Sequence, residues 1–236
     1  DLLSPRKLEA QMRYLLHRPA GTLAVCGTVH FWDNDVPTQG ILEADLRFLS
    51  SSNCPVDWLV RLLGGHGVGS MVHPAAWLTP RVVADAVGGW NENLSLDDDG
   101  EYFARAVLAS TGICYCADAV SYYRKFRDGQ SLSGAKSLAH QWSALRAIDL
   151  KARHLFYHQD SRLARRAIAR CYMERAVQAY PDHADVTAAA LERIKVLDIK
   201  ADLPPIGGWR GELLRTLLGW KLARRLSVTY HRWRMI

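Results

Sequence analysis

The chain has 236 residues, 49% of them hydrophobic and 23% charged, which is enough to bury a real core and too apolar for an unstructured chain. No apolar run approaches the ~18 residues of a membrane-crossing helix, so any membrane contact is expected to be peripheral. The net charge of +6 belongs to the tail: residues 209–236 hold seven Lys or Arg against one acid, and residues 1–208 balance at 23 against 23, which argues against a nucleic-acid-binding body.

The sequence opens at Asp1 with no basic-then-apolar leader, so no signal peptide is read and the opening is expected to be a cut in a longer chain. Cys26, Cys54, Cys114, Cys116 and Cys171 are irregularly spaced. They fit reduced thiols of a cytosolic protein better than a disulfide framework. Cys114 and Cys116 have no second Cys/His pair at zinc-site spacing and are read as part of a buried strand.

Ser4-Pro5 predicts an N-cap and a first helical residue, with a helix running to about Arg18 and Leu8, Met12, Leu15 and Leu16 on its core face. The apolar, β-branched run 22–30 predicts a strand. Asp33 to Pro37 reads as a loop, and 41–49 and 56–63 as short helices. The glycine-dense segment 64–69 lacks the Lys-Ser/Thr of a P-loop and is read as a flexible connection. Residues 70–78 look extended, and Thr79-Pro80 starts a short helix that Gly88-Gly89 ends.

After the acidic turn Asp97-Asp98-Asp99, a helix with Tyr102, Phe103, Ala106 and Val107 inward runs to about Ser110. Runs 113–117 and 119–124 predict two strands bent at Asp118. From Ser133 onward the pattern is helical, with Leu138, Trp142, Leu145, Ile148, Ala152 and Leu155 on one face, followed by helices over 161–179 and 184–198. A Pro/Gly-rich stretch at 204–208 leads into a last, basic, Leu/Trp-containing helix. The expected division is 1–135, a helical extension 136–205 and the tail 206–236.

Three stretches, in order, resemble the second half of family-2 glycosyltransferases of the GT-A fold. Asp1-Leu-Leu-Ser-Pro-Arg-Lys-Leu-Glu is similar to the segment after that family's D-x-D motif. Val87-Gly-Gly-Trp-Asn-Glu-Asn-Leu94 is similar to its G-G-F/W-D-E-x-L stretch, and Asp98-Asp99-Gly-Glu-Tyr-Phe-Ala-Arg105 to its E-D-x-D/E-x-x-x-R helix start. The likeness covers about residues 1–135. It implies a partial GT-A domain with a mixed sheet, followed by an α-helical extension and lacking the upstream nucleotide-binding half, so that the piece alone would be inactive.

The reaction so implied moves a sugar from a nucleotide-diphosphate donor to a hydroxyl acceptor on a glycan or lipid, with inversion, in surface glycan assembly on the cytoplasmic face of the membrane. Such chemistry needs a base for the acceptor hydroxyl and neutralisation of the diphosphate. By the resemblance Asp99 is the base and Asp98 its neighbour, Asp1 holds a Mg²⁺ or Mn²⁺ ion, Trp90 and Asn91 face the acceptor, and Arg124 or Lys125 faces the diphosphate. Phe126 stands where many members carry a His, which weakens the case for a metal there, and Ser131 and Ser133 resemble the family's S-x-S. Each residue also has a plainer use: Asp97, Asp98 and Asp99 as helix caps, Glu101 paired to Arg105, Trp90 as a core anchor. His66, His73 and His140 are isolated and receive no role.

Two other classes fit the sequence. One is a non-catalytic carbohydrate-binding or scaffolding domain of GT-A shape; the other is a helical adaptor in the second half. The tail's basic and aromatic residues suggest contact with an anionic membrane surface, or a basic helix end that pairs with the body.

Overall fold

A strand flanked by neighbours on both edges and covered on both faces has to be apolar along its whole length. Residues 22–32 meet that demand. In the computed structural model, which describes residues 1–43, 48–127 and 137–233, they form β2 (Thr22–Trp32), buried from Thr22 through Val29. Its parallel partner is β5 (Gly112–Lys125), paired along the full length of β2. On the opposite edge of β2, β4 (Trp77–Leu78) pairs with Ala24 and Val25, and β3 (Ile41–Glu43) with Thr28 to His30, both antiparallel. On the outer edge of β5, β1 (Leu2–Leu3) pairs with Ser121 and Tyr122. The molecule is therefore α/β with an open, mixed sheet.

Eight α-helices are present among the described residues: α1 (Lys7–Leu15), α2 (Pro55–Leu62), α3 (Arg81–Val87), α4 (Asp98–Ala109), α5 (Leu138–His158), α6 (Arg162–Ala179), α7 (Ala184–Val196) and α8 (Trp209–Trp233). One apolar core runs from Ala10 on α1 through β2, α2, α4 and β5 to Ile194 on α7. Ser137 and Ser161 cap α5 and α6, each accepting a hydrogen bond from a backbone amide in the first turn. No helix among the described residues is long and apolar enough to cross a membrane.

Several sequence expectations need correction. The bend expected at Asp118 does not divide two strands. It is a bulge in one strand, where pairing jumps from Cys26 opposite Cys116 to Gly27 opposite Val120 and leaves residues 117–119 out of register. The helix expected over 41–49 begins instead as β3, because Ile41 to Glu43 complete the ladder on an edge that β2 would otherwise leave open. The segment 64–69 is no loose connection: Gly65 N donates to Val60 O, Gly67 N to Gly64 O, and Arg170 on α6 reaches the carbonyls of Leu63 and Gly69. A Cβ on Gly64 or Gly69 would run into that arginine.

The largest reversal is in α1. Ser4 is not its cap: Ser4 N donates to Val120 O, extending the pairing of β1, and Lys7 N donates to Ser4 O. Of the stripe expected to face the core only Leu15 packs against it; Leu8, Met12 and Leu16 are exposed, and Lys7, Ala10 and Gln11 are buried instead. The buried polar residues have a task. Lys7 Nζ donates to Gln11 Oε1 at 2.6 Å and to Trp77 O at 3.2 Å, and Gln11 Nε2 donates to Ala76 O at 2.9 Å. These donors satisfy carbonyls that would cost ~1–3 kcal/mol each if buried bare. Burial holds the Lys7 ammonium below its ordinary range. Ser131 and Ser133 lie outside the described residues.

Candidate functional site

The acidic turn opens α4 with an unusual backbone. Asp97 sits in the left-handed region at φ 62°, ψ 26°, and its side chain makes no capping bond to the helix. Its carboxylate is instead turned to α5, where Lys151 Nζ lies 2.6 Å from Asp97 Oδ2. Lys151 is buried. Burial works to lower its ammonium, but the charge of Asp97 and the hydrogen bond to it override that and hold Lys151 above its ordinary range.

Asp99 lies two residues further on, in the first turn of α4 and in the same corner. Its Oδ1 accepts from Gly100 N at 2.8 Å. Burial, and then the nearby charge of Asp97, push its carboxyl above the usual carboxylate range; Asp98 adds to this, while the Gly100 amide and Lys151 oppose it. Asp97, Asp99 and Lys151 line a narrow cleft with Met71, Trp77 and Phe103, and about 60 Å³ of it is open to water-sized groups. That space is enough for a hydroxyl or for a few waters.

Aromatic rings lead away from the cleft. Trp77 stacks on Phe103 at 4.9 Å, and Trp90 meets Phe103 edge-on while lying flat on Tyr102 at 4.6 Å and 3°. Trp90 is 45% exposed, so it is a shelf rather than a core anchor. The loop carrying it is clamped from α4. Arg105 donates to the carbonyls of Val87 and Gly89 and forms a two-pronged pair with Glu101 at 2.8 and 3.0 Å. The expected Glu101–Arg105 pair is therefore present, and it also positions the Gly88-Gly89-Trp90 turn. Asn91 Oδ1 accepts from Asn93 N at 3.1 Å, shaping the turn that follows.

The other expected site residues gather at the C-terminal ends of β2 and β5. Asp1 Oδ1 accepts from Arg124 N at 3.0 Å, and Asp1 Oδ2 lies 3.5 Å from His73 Nε2. His73 packs against Tyr123 at 4.4 Å, Tyr123 meets His30 edge-on, and His30 Nε2 lies 2.7 Å from Glu43 Oε2. Arg124 and Lys125 both lie against rings, Arg124 over Phe31 and Lys125 over Trp32 and Tyr123. The two corners share one segment, since Met71 and Val72 line the cleft and His73 follows them toward Asp1.

The metal implied by the resemblance finds a poor fit here. Among the described residues no three His, Cys, Asp or Glu side chains are grouped to hold an ion. His73, the nearest companion of Asp1, accepts from Ala75 N on Nδ1, so its neutral ring carries the proton on Nε2, the atom facing Asp1. Burial and then His30 lower His73 to about 4, which keeps it in that neutral form. In this tautomer His73 offers Asp1 a hydrogen-bond donor rather than a lone pair for a metal.

Sequence reasoning missed Lys151 and His73. Lys151 sits on the buried stripe Ala144, Ile148, Lys151, Leu155 of α5, so a charge on an apolar face was its visible signal. His73 had none, because its partners Asp1, His30 and Tyr123 are distant in sequence. No protein-family model, curated protein or solved structure matches the chain.

Proposed function

We propose that this chain forms the acceptor-side half of a GT-A-type glycosyltransferase, in which Asp99 is the general base. One observation carries the reading: a carboxyl raised above its usual range, on the first turn of a helix, lines a cleft with room for an acceptor hydroxyl. Groups perturbed in this way concentrate at functional sites.

The acceptor hydroxyl enters the cleft and donates a hydrogen bond to Asp99. As its oxygen attacks the anomeric carbon, the proton passes to the Asp99 carboxylate. The bond from that carbon to the diphosphate breaks, and the electron pair leaves with the nucleotide diphosphate. A raised pKa makes Asp99 a stronger base than a solvated aspartate. The Asp97–Lys151 pair fixes the turn that carries it, and the exposed face of Trp90 offers a flat apolar surface to a sugar ring. The mixed α/β sheet and the order of the three motifs support the same reading.

By the resemblance, the donor-binding half would precede Asp1. The assay therefore uses the longest natural chain that contains this sequence, with a panel of nucleotide-diphosphate sugars, with and without Mn²⁺. Transfer or donor hydrolysis with at least one donor supports the reading. Sugar binding without turnover for any donor would favour a non-catalytic carbohydrate-binding domain instead.

A further inference from the structure

The last helix carries more exposed apolar surface than a soluble helix has use for. Before Gly219, Trp209, Leu213 and Leu217 recur every fourth residue, and they are 73%, 53% and 70% exposed. Gly219, at φ 76° and ψ 159°, breaks the helix. Beyond it Leu222, Leu226 and Tyr230 repeat the spacing, with Trp233 one turn further at 79% exposed. Residues four apart share a helix face, so each half shows solvent an apolar stripe.

These stripes are not the face by which α8 holds the body. Leu214, Trp220 and Ala223 pack with Val177 and Ile206, Trp220 meets Tyr180 edge-on at 5.6 Å, and Arg224 Nε donates to Val177 O at 3.0 Å. The helix is therefore anchored on one side and open on another. Lys221 and Arg225 each precede a stripe leucine by one residue, which sets them about 100° around the helix at the border of the stripe. Both are exposed.

We infer that α8 is a docking surface for an anionic lipid bilayer, lying in the plane of the headgroups with Leu213, Leu217, Leu222, Leu226 and Trp233 toward the acyl region. Charge selects this occupant. Lys221 and Arg225 border the second stripe with no acid in that half of the helix, so a second copy of the chain would bring like charge to the same face and be repelled. An apolar stripe bordered by Lys and Arg is the arrangement that an acidic membrane surface holds in its plane. The inference is independent of the sugar-transfer reading and stands or falls without it.

The test is co-sedimentation of the chain with vesicles of phosphatidylcholine alone and of equal parts phosphatidylcholine and phosphatidylglycerol, at low and high salt. Binding is expected to the mixed vesicles only and to weaken with salt. Lys221→Gln with Arg225→Gln should cost about fivefold in partitioning per charge removed. The triple change Leu217→Ser, Leu222→Ser, Leu226→Ser should abolish binding. Thermal melting of each variant checks the fold, which exposed positions should leave intact. Absence of binding to the mixed vesicles, or full binding by the correctly folded leucine variant, overturns the proposal. So would a concentration-dependent dimer that the leucine changes dissolve while no vesicle is bound.

Discussion

Lys151 Nζ stands 2.6 Å from Asp97 Oδ2, and this pair joins the middle of α5 to the left-handed turn that opens α4. The charge that fixes the acidic turn thus comes from the helical second half of the chain, some fifty residues downstream. Lys151→Met leaves Asp97 facing an apolar wall. Breaking a fully buried pair costs ~3–5 kcal/mol, but the Asp97 side chain is 31% exposed, so a loss nearer ~2 kcal/mol is expected. Urea denaturation measures it, and Asp97→Asn combined with Lys151→Met should cost less than the sum of the single changes.

Asp99 should make the protein less stable as pH rises. Its folded carboxyl is raised by burial and by Asp97, so the folded state holds the proton more tightly than the unfolded chain does. That contribution is fully present below the ordinary carboxylate range and is lost as pH rises through the raised value. Asp99→Asn removes the penalty while keeping an acceptor for Gly100 N. The variant should melt higher than the parent at about pH 8 and at nearly the same temperature at about pH 3. An equal difference at both pH values would contradict this.

Arg105→Met should uncouple the Trp90 shelf from α4. The Glu101 side chain is 3% exposed, and without Arg105 it keeps His154, whose Nε2 lies 3.3 Å away, as its ion-pair partner among the described residues. A loss of about 3 kcal/mol is expected, partly recovered by adding Glu101→Gln. Chemical denaturation of the single and double variants checks both statements. In the proposed transfer reaction the single change should raise the KM for acceptor more than it lowers kcat.

Gly100→Ala offers a test of sign. Alanine in place of glycine ordinarily stabilises a helix by up to ~1 kcal/mol. Here an added Cβ would lie 2.1 Å from Asp97 Oδ1, a carboxylate that Lys151 holds in place. Something must shift, and a destabilisation of about 1–3 kcal/mol is expected. A more stable variant would show that the turn is looser than described.

What the sequence made legible follows from the range of the forces involved. β2 was readable because burial on both faces leaves its mark in every residue. The helix that begins at Asp98 was readable from its local period and its acidic start. The facing of α1 was not readable, because Leu8, Met12 and Leu16 have the spacing of a core stripe. The reason Lys7 and Gln11 turn inward is a pair of carbonyls at Ala76 and Trp77, more than sixty residues away. The strand at Ile41 was hidden in the same way, since its cause is the open edge of β2.

Within the candidate site, motifs single out Asp99, Trp90 and Asp1 but give no sign of the side chains packed beside them. Lys151 and His73 enter through packing between segments that no local pattern connects. Asp97 read naturally as a helix cap, and only the ion pair with α5 shows where its carboxylate points.

The most direct test of the central claim is the transfer rate of the longest natural chain beside its Asp99→Asn form, measured with the donor that gives the greatest turnover. If Asp99 is the base, kcat falls roughly 10²–10⁴-fold with donor binding retained. Turnover that survives the substitution undiminished would contradict it and remove Asp99 as the base.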